Sequence, residues 1–201
     1  MFLHALIPAS RANGPGLRAV VFFQGCDLGC LGCFNPLTHS FHGKALSVQA
    51  VAREVLRAHA EHPLEGVTFS GGEPMQQADS LLALMQGLRL RAPALSFGMF
   101  SGYTERELAA GRYSIWGQPM VEDERASLWK DILGLLDFAV LGRFNYLQPS
   151  SAPMRSSRNQ ILRLFSDRYT EADFSEQLVE IQIDDSGRSE ITGFPVLGLP
   201  W

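Results

Sequence analysis

Three cysteines, Cys26, Cys30 and Cys33, stand within eight residues, and the chain contains no others. Their spacing is C-x3-C-x2-C, directly after the apolar run Ala19-Val20-Val21-Phe22-Phe23. A short unbroken run of that kind predicts a strand buried on both faces, over 18–24. The chain must leave that strand and turn at once through a glycine-containing loop that carries every thiol it has. An odd number of cysteines packed this tightly makes no disulfide framework. In a reducing compartment it reads as a ligand set or a reactive centre.

Three thiolates are soft ligands that suit zinc or an iron–sulfur cluster. A structural zinc ion takes four protein ligands, and His39 or His42 is available as the fourth. A [4Fe–4S] cluster can be held by three if its fourth iron is left to a substrate or cofactor. Gly29 and Gly32 let the backbone come close to such a group. A patch of reduced thiols is the third possibility.

The remaining bounds are broad. A length of 201 residues with 46% apolar content predicts one domain, 1–201, with a substantial core. The net charge is −4 and no basic block appears, which argues against a nucleic-acid partner. The apolar start is broken by His4 and Pro8 and lacks a cationic lead, so it is a poor signal peptide. No stretch reaches the roughly 18 uninterrupted apolar residues of a membrane span. No membrane association and a cytoplasmic location are expected.

Strand and helix patterns alternate along the chain. A short strand is expected at 3–7. Ser47 caps a helix over 48–61, and Gly66-Val67-Thr68-Phe69-Ser70 is a strand. A helix follows over about 77–91, a strand over 94–100, and a short helix whose capping box is Thr104 and Glu107. A loop at 111–121, a helix near 124–135 and strands at 137–141 and 159–165 come next, then a short acidic helix from Thr170. Strands at 178–183 and 190–193, joined at Ser186-Gly187, make a terminal hairpin. This order predicts an α/β fold with a parallel sheet, whose site lies at the carboxyl ends of the strands. The chemistry-bearing residues fall at those ends: the cysteines, then Gly71-Gly72-Glu73-Pro74, then Ser101-Gly102-Tyr103, then Arg143.

The cysteine spacing followed by Phe34 and Asn35 resembles the cluster loop of radical S-adenosylmethionine (SAM) enzymes. Ser70-Gly71-Gly72-Glu73-Pro74 matches that superfamily's GGEP motif. The chain is most similar to the activating proteins of anaerobic ribonucleotide reductase and pyruvate formate-lyase. Asn13-Gly14-Pro15-Gly16-Leu17-Arg18, Ser101-Gly102-Tyr103-Thr104, Gly142-Arg143-Phe144, 155–160 and Ile191-Thr192-Gly193-Phe194-Pro195 resemble further segments of those proteins.

The resemblance implies a partial, open parallel β/α barrel with a small C-terminal β hairpin. It implies a radical SAM oxidoreductase in which Cys26, Cys30 and Cys33 hold a [4Fe–4S] cluster and SAM chelates the open iron. The electron donor would be a protein such as flavodoxin or ferredoxin, and the target a glycyl radical enzyme. Gly71 and Gly72 offer free carbonyls to the SAM ammonium, while Glu73 orients the turn or meets that ammonium, and Pro74 counts with them as cofactor-binding through the motif. The plain alternative is a strand-to-helix turn. Arg143 is a candidate clamp for the SAM carboxylate, with a surface arginine as the alternative. Ser101 and Tyr103 are candidates for the methionine or ribose, with a packed aromatic as the alternative for Tyr103. Asn159 and Gln160 are candidates for the adenine or carboxylate, with sheet-edge hydrogen bonding as the alternative. Phe34 is a candidate for packing beside the cluster or adenine, with core packing as the alternative. Two other functions stay open: a free-standing radical SAM enzyme acting on a small molecule or peptide, and a non-catalytic zinc module. Segments 111–121 and 144–155 depart from the plain activase pattern and leave the radical acceptor open.

Overall fold

The computed structural model describes residues 1–174, 178–183, 187 and 189–194. Ser186 of the expected hairpin turn and Pro195 lie outside them. The chain opens with β1 (Phe2–Ser10), which returns antiparallel as β2 (Arg18–Phe23). The intervening residues 11–17 are too few for a crossover helix, and that forces the antiparallel pairing. β3 (Lys44–Ala45) adds a short edge to β1. The order then runs α1 (Val48–Glu61), β4 (Gly66–Gly71), α2 (Ala78–Arg91), β5 (Ser96–Ser101), α3 (Glu105–Ala109), α4 (Glu122–Leu133), β6 (Phe138–Leu141) and β7 (Ile161–Leu164).

These strands form a seven-stranded sheet in the order β3-β1-β2-β4-β5-β6-β7. β2, β4, β5 and β6 are parallel neighbours, and β7 pairs antiparallel with β6. A separate antiparallel hairpin joins β8 (Val179–Ile183) to β9 (Ser189–Gly193). The architecture is thus the expected α/β fold with a large, mostly parallel sheet and a small hairpin. The two antiparallel edges were not foreseen, because strand patterning does not carry direction. Among the described residues no helix is long and apolar enough to cross a membrane.

The two faces of the sheet do different work. Ala19, Val21, Phe23, Val67, Phe69, Phe97 and Met99 point to one side, where they pack with Val51, Val55, Leu81, Leu84 and Leu88 of the helices. α1 is placed there by its buried stripe and starts where Ser47 Oγ accepts from Ala50 N at 3.2 Å. The opposite face carries Arg18, Val20 and Phe22 of β2 in register with Gly66, Thr68 and Ser70 of β4. Here Phe138 and Val140 pack with Met154, Tyr169 and Phe174 from the segment after β6.

That second face is divided along its length. At its amino-terminal end the fully buried Arg18 guanidinium donates to Thr68 Oγ1, Ser96 Oγ and Tyr169 Oη, and to the carbonyls of Pro15, Val67 and Ser96, at 2.8–3.3 Å. A Cβ at Gly66 would stand 2.5 Å from that guanidinium, so the glycine makes its room. At the carboxyl end the same face opens into a cavity.

Candidate functional site

The loop that leaves β2 is closed before it reaches the cysteines. Gly25 N donates to Thr38 O at 2.7 Å and Cys26 N to His39 O at 3.1 Å. Gln24 Nε2 reaches the carbonyls of Leu37 and Ser40 at 3.1 and 2.6 Å. Entry and exit of the loop are therefore stitched together, and the thiols sit on the excursion between them. Gly29 and Gly32 take left-handed φ values of 63° and 73°, which lets the short loop fold back on itself.

Cys26, Cys30 and Cys33 are each half-buried, and all three line one cavity of about 210 Å³. Burial pushes the Cys26 thiol up to about 12, with the Leu28 N–H pulling against it. Burial also raises Cys33, opposed by Asn35 N, which lies 3.4 Å from its sulfur. Left to themselves such thiols stay protonated near neutrality; a soft metal centre replaces the protons and takes thiolates.

Three thiolates on one loop, all lining one cavity, are a donor set that suits an iron–sulfur cluster. Among the described residues no three histidine, cysteine or carboxylate groups gather closely enough to hold one metal ion. A cubane presents separate irons to separate thiolates, so its ligands need not meet at a point. His39 lines the cavity, whereas His42 is exposed and bonded to Ser40.

The Gly71–Pro74 turn docks directly on this loop. Glu73 N donates to Gly25 O at 2.9 Å and Gly72 N to Phe23 O at 2.8 Å. A Cβ on Gly72 would lie 2.4 Å from Gly25 O, a contact no side chain survives. Gly71, Gly72 and Glu73 line the cavity. The Glu73 carboxylate is buried and accepts from Met75 N at 3.0 Å, Ser101 Oγ at 2.8 Å and Gly102 N at 2.7 Å. Burial raises it to about 7, although each of these donors, and Arg143, pulls it down. Its contacts stitch the turn after β4 to the turn after β5. Pro74 opens the 3-10 turn Pro74–Gln77 and is buried behind the cavity wall.

The other expected residues divide. Ser101 lines the cavity. So does Phe34, whose ring lies 4.6 Å from that of Phe144. Tyr103 is buried behind the wall, with its hydroxyl 3.0 Å from Gln76 Nε2. Arg143 pairs with Glu107 at 2.9 Å and lies over the Tyr103 ring at 5.4 Å. Asn159 is exposed and donates to Arg143 O at 2.7 Å. Tyr103, Arg143 and Asn159 are not among the lining residues.

Asn13, Gln160 and Thr192 supply further polar lining. Asn13 Nδ2 donates to Thr192 Oγ1 at 2.9 Å, which joins the β1–β2 turn to the hairpin over the cavity. All three lie in segments noted in the sequence for their resemblance. Gln160 was a sequence candidate beside Asn159; the place of Asn13 and Thr192 in the wall had no local signal, because the chain brings them together from its two ends.

Fold and site define an α/β protein whose thiol-bearing loop and glycine turn share one cavity at the carboxyl edge of a parallel sheet. A family model described as the 4Fe-4S single cluster domain matches residues 12–163, and the chain belongs to that family. A pyruvate formate-lyase-activating enzyme of Clostridium pasteurianum is 34% identical over 111 residues, 51% of this chain and 46% of the relative. An anaerobic ribonucleoside-triphosphate reductase-activating protein of Vibrio cholerae is 28% identical over 173 residues, 83% of this chain and 99% of the relative. Its counterpart from Escherichia coli K12 is 26% identical over 167 residues, 81% and 97% of the two chains. The match thus spans about half the length of the first relative and nearly all of the other two. These likenesses bear out the resemblance to the activating proteins of pyruvate formate-lyase and anaerobic ribonucleotide reductase, and the family's description bears out the [4Fe–4S] cluster that it implies.

Proposed function

We propose that this chain is a single-domain radical SAM oxidoreductase that activates a glycyl radical enzyme. Its open sheet would serve as the partial β/α barrel of that class, working in the cytoplasm. Cys26, Cys30 and Cys33 hold the cluster, and the Gly71–Pro74 turn receives the amino group of SAM through free backbone carbonyls. With the cluster reduced by its electron donor, cluster and SAM would together supply one-electron cleavage of the S–C5′ bond for hydrogen abstraction. The protein's part is ligation, orientation and exclusion of water.

The observation that carries this reading is the docking of the glycine turn on the cysteine loop, with both facing one cavity. Glu73 fixes that turn from behind through Ser101 and Gly102, and the carbonyls of Gly71 and Gly72, which line the cavity, would receive the SAM ammonium. Phe34 and Phe144 provide an apolar wall beside the thiols that keeps water from a reactive radical. Arg143 and Asn159 lie outside this lining, and Arg143 would act by holding α3 and the Tyr103 turn in place. The zinc module loses support because the chain belongs to a family described as the 4Fe-4S single cluster domain.

The test is anaerobic reconstitution with iron and sulfide. About four irons per chain, charge-transfer absorption and reductant-dependent 5′-deoxyadenosine from SAM are expected. A colourless protein with one zinc would overturn the reading. A glycyl-radical signal on a co-incubated glycyl radical enzyme, with flavodoxin or ferredoxin as donor, checks the acceptor. 5′-Deoxyadenosine without that signal would favour a small-molecule or peptide substrate.

A further inference from the structure

Gln76 follows the glycine turn and is almost fully buried, at 1% exposure. Its Nε2 lies within hydrogen-bond reach of three oxygens: Asp27 Oδ1, Tyr103 Oη at 3.0 Å and Ser114 Oγ at 2.9 Å. Its Oε1 accepts from Asp27 N at 3.2 Å, and its backbone carbonyl accepts from Trp116 N at 2.8 Å. Ser114 Oγ in turn stands 3.3 Å from Asp27 Oδ2. One side chain thus grips both the backbone and the carboxylate of the residue that follows Cys26.

A second contact fastens the same segment from the other side. Trp116 stacks on Phe41, with ring centroids 5.4 Å apart and planes at 16°, and meets Phe2 edge-on at 4.7 Å. Phe41 sits over Gly25, where a Cβ would come within 2.5 Å of its ring. The segment 111–117 therefore lies as a strap across the entry of the cysteine loop, bonded at Asp27 and stacked at Phe41.

We propose that Gln76 is a positioning residue: it ties Asp27 to the strap and so fixes the loop backbone from which Cys26 and Cys30 present their sulfurs. The inference rests on the reading of these cysteines as cluster ligands. Partners behind the ligands commonly govern how firmly a metal centre is held, at about 10–100-fold in affinity. Here the hold is geometric. The amide supplies both a donor and an acceptor, which neither an apolar side chain nor a carboxylate does.

The test uses the full chain, reconstituted anaerobically, with two readouts besides turnover. One is the rate of iron loss to a chelator; the other is the electron paramagnetic resonance spectrum of the reduced cluster with and without SAM. Gln76→Met keeps the length and removes the amide. It is expected to lose iron about tenfold faster than wild type and to show an altered spectrum. Asp27→Asn keeps an acceptor oxygen for Gln76 while removing the charge, and is expected to stay close to wild type. Ser114→Ala, on the exposed strap, is expected to give roughly threefold faster loss, the worth of one hydrogen bond. It carries the test if Gln76→Met fails to fold. Wild-type behaviour in Gln76→Met and Ser114→Ala would overturn the proposal. So would Asp27→Asn matching Gln76→Met, because charge rather than position would then matter. A wild-type chain that takes up no cluster would instead remove the reading beneath it.

Discussion

At the scale of single residues, Glu107 shows how a strand-end arginine is diverted from a cavity. Its carboxylate accepts from Thr104 N and Thr104 Oγ1, both at 2.8 Å, and from Arg143 Nη1 at 2.9 Å. Burial alone would raise this carboxyl, but the Arg143 and Thr104 bonds outweigh it and bring it from its ordinary 4.5 down to about 2. A folded-state value below the unfolded one stabilises above the unfolded value and is lost as pH falls through the folded one. The advantage of wild type over Glu107→Gln should be full above pH 4.5 and shrink steadily from 4.5 towards 2. Denaturant melts of both proteins at stepped pH check this. A difference that grows on acidification would refute the pairing. The sequence showed Arg143 at a strand end and Glu107 in a capping box, yet not that the two would meet. The clustering of the cysteines in one cavity was legible because their spacing is local, while an ion pair across 36 positions is not.

At the scale of elements, the site depends on one turn seated against another. The turn after β4 and the loop after β2 meet through Glu73 N and Gly25 O, and Gly72 leaves no space between them. Gly72→Ala would place a methyl 2.4 Å from a backbone carbonyl, which has no rotamer by which to yield. The turns must separate, at the 1–3 kcal/mol or so typical of overpacking. Reconstituted Gly72→Ala should keep its helical circular dichroism and much of its iron while its SAM affinity falls. Iron assays beside SAM titration read that split, and equal loss of both would count against the docked-turn geometry. The motif was legible as a turn. Its contact with the loop was not, because parallel pairing of β2 with β4, rather than sequence proximity, brings them together.

At the scale of the whole molecule, one sheet face is divided between stability and chemistry. Helix spacing and apolar runs revealed the strand and helix order and the terminal hairpin, but not the antiparallel edges or the hairpin's place in the cavity wall through Thr192 and Gly193. Those features depend on short connections and on contacts between the chain's two ends. Arg18 was legible only as part of a resembling segment. In the fold it joins the starts of β2, β4 and β5 from within, and its nearest route to a carboxylate runs through Tyr169 Oη to Glu65 at 2.8 Å. Burial lowers its affinity for the proton, and six acceptor contacts offset the cost of an enclosed cation. Arg18→Met fills much of the volume but strands several buried acceptors, at about 1–3 kcal/mol each. A loss of at least ~3 kcal/mol should follow, or roughly 6–12 °C in Tm for a chain of this size. The cysteines lie at the opposite end of the same strand, so folded Arg18→Met should still take up iron as wild type does. Calorimetry together with iron per folded chain separates the two ends: a stable variant that loses its iron would mean that the buried arginine serves the site rather than the sheet.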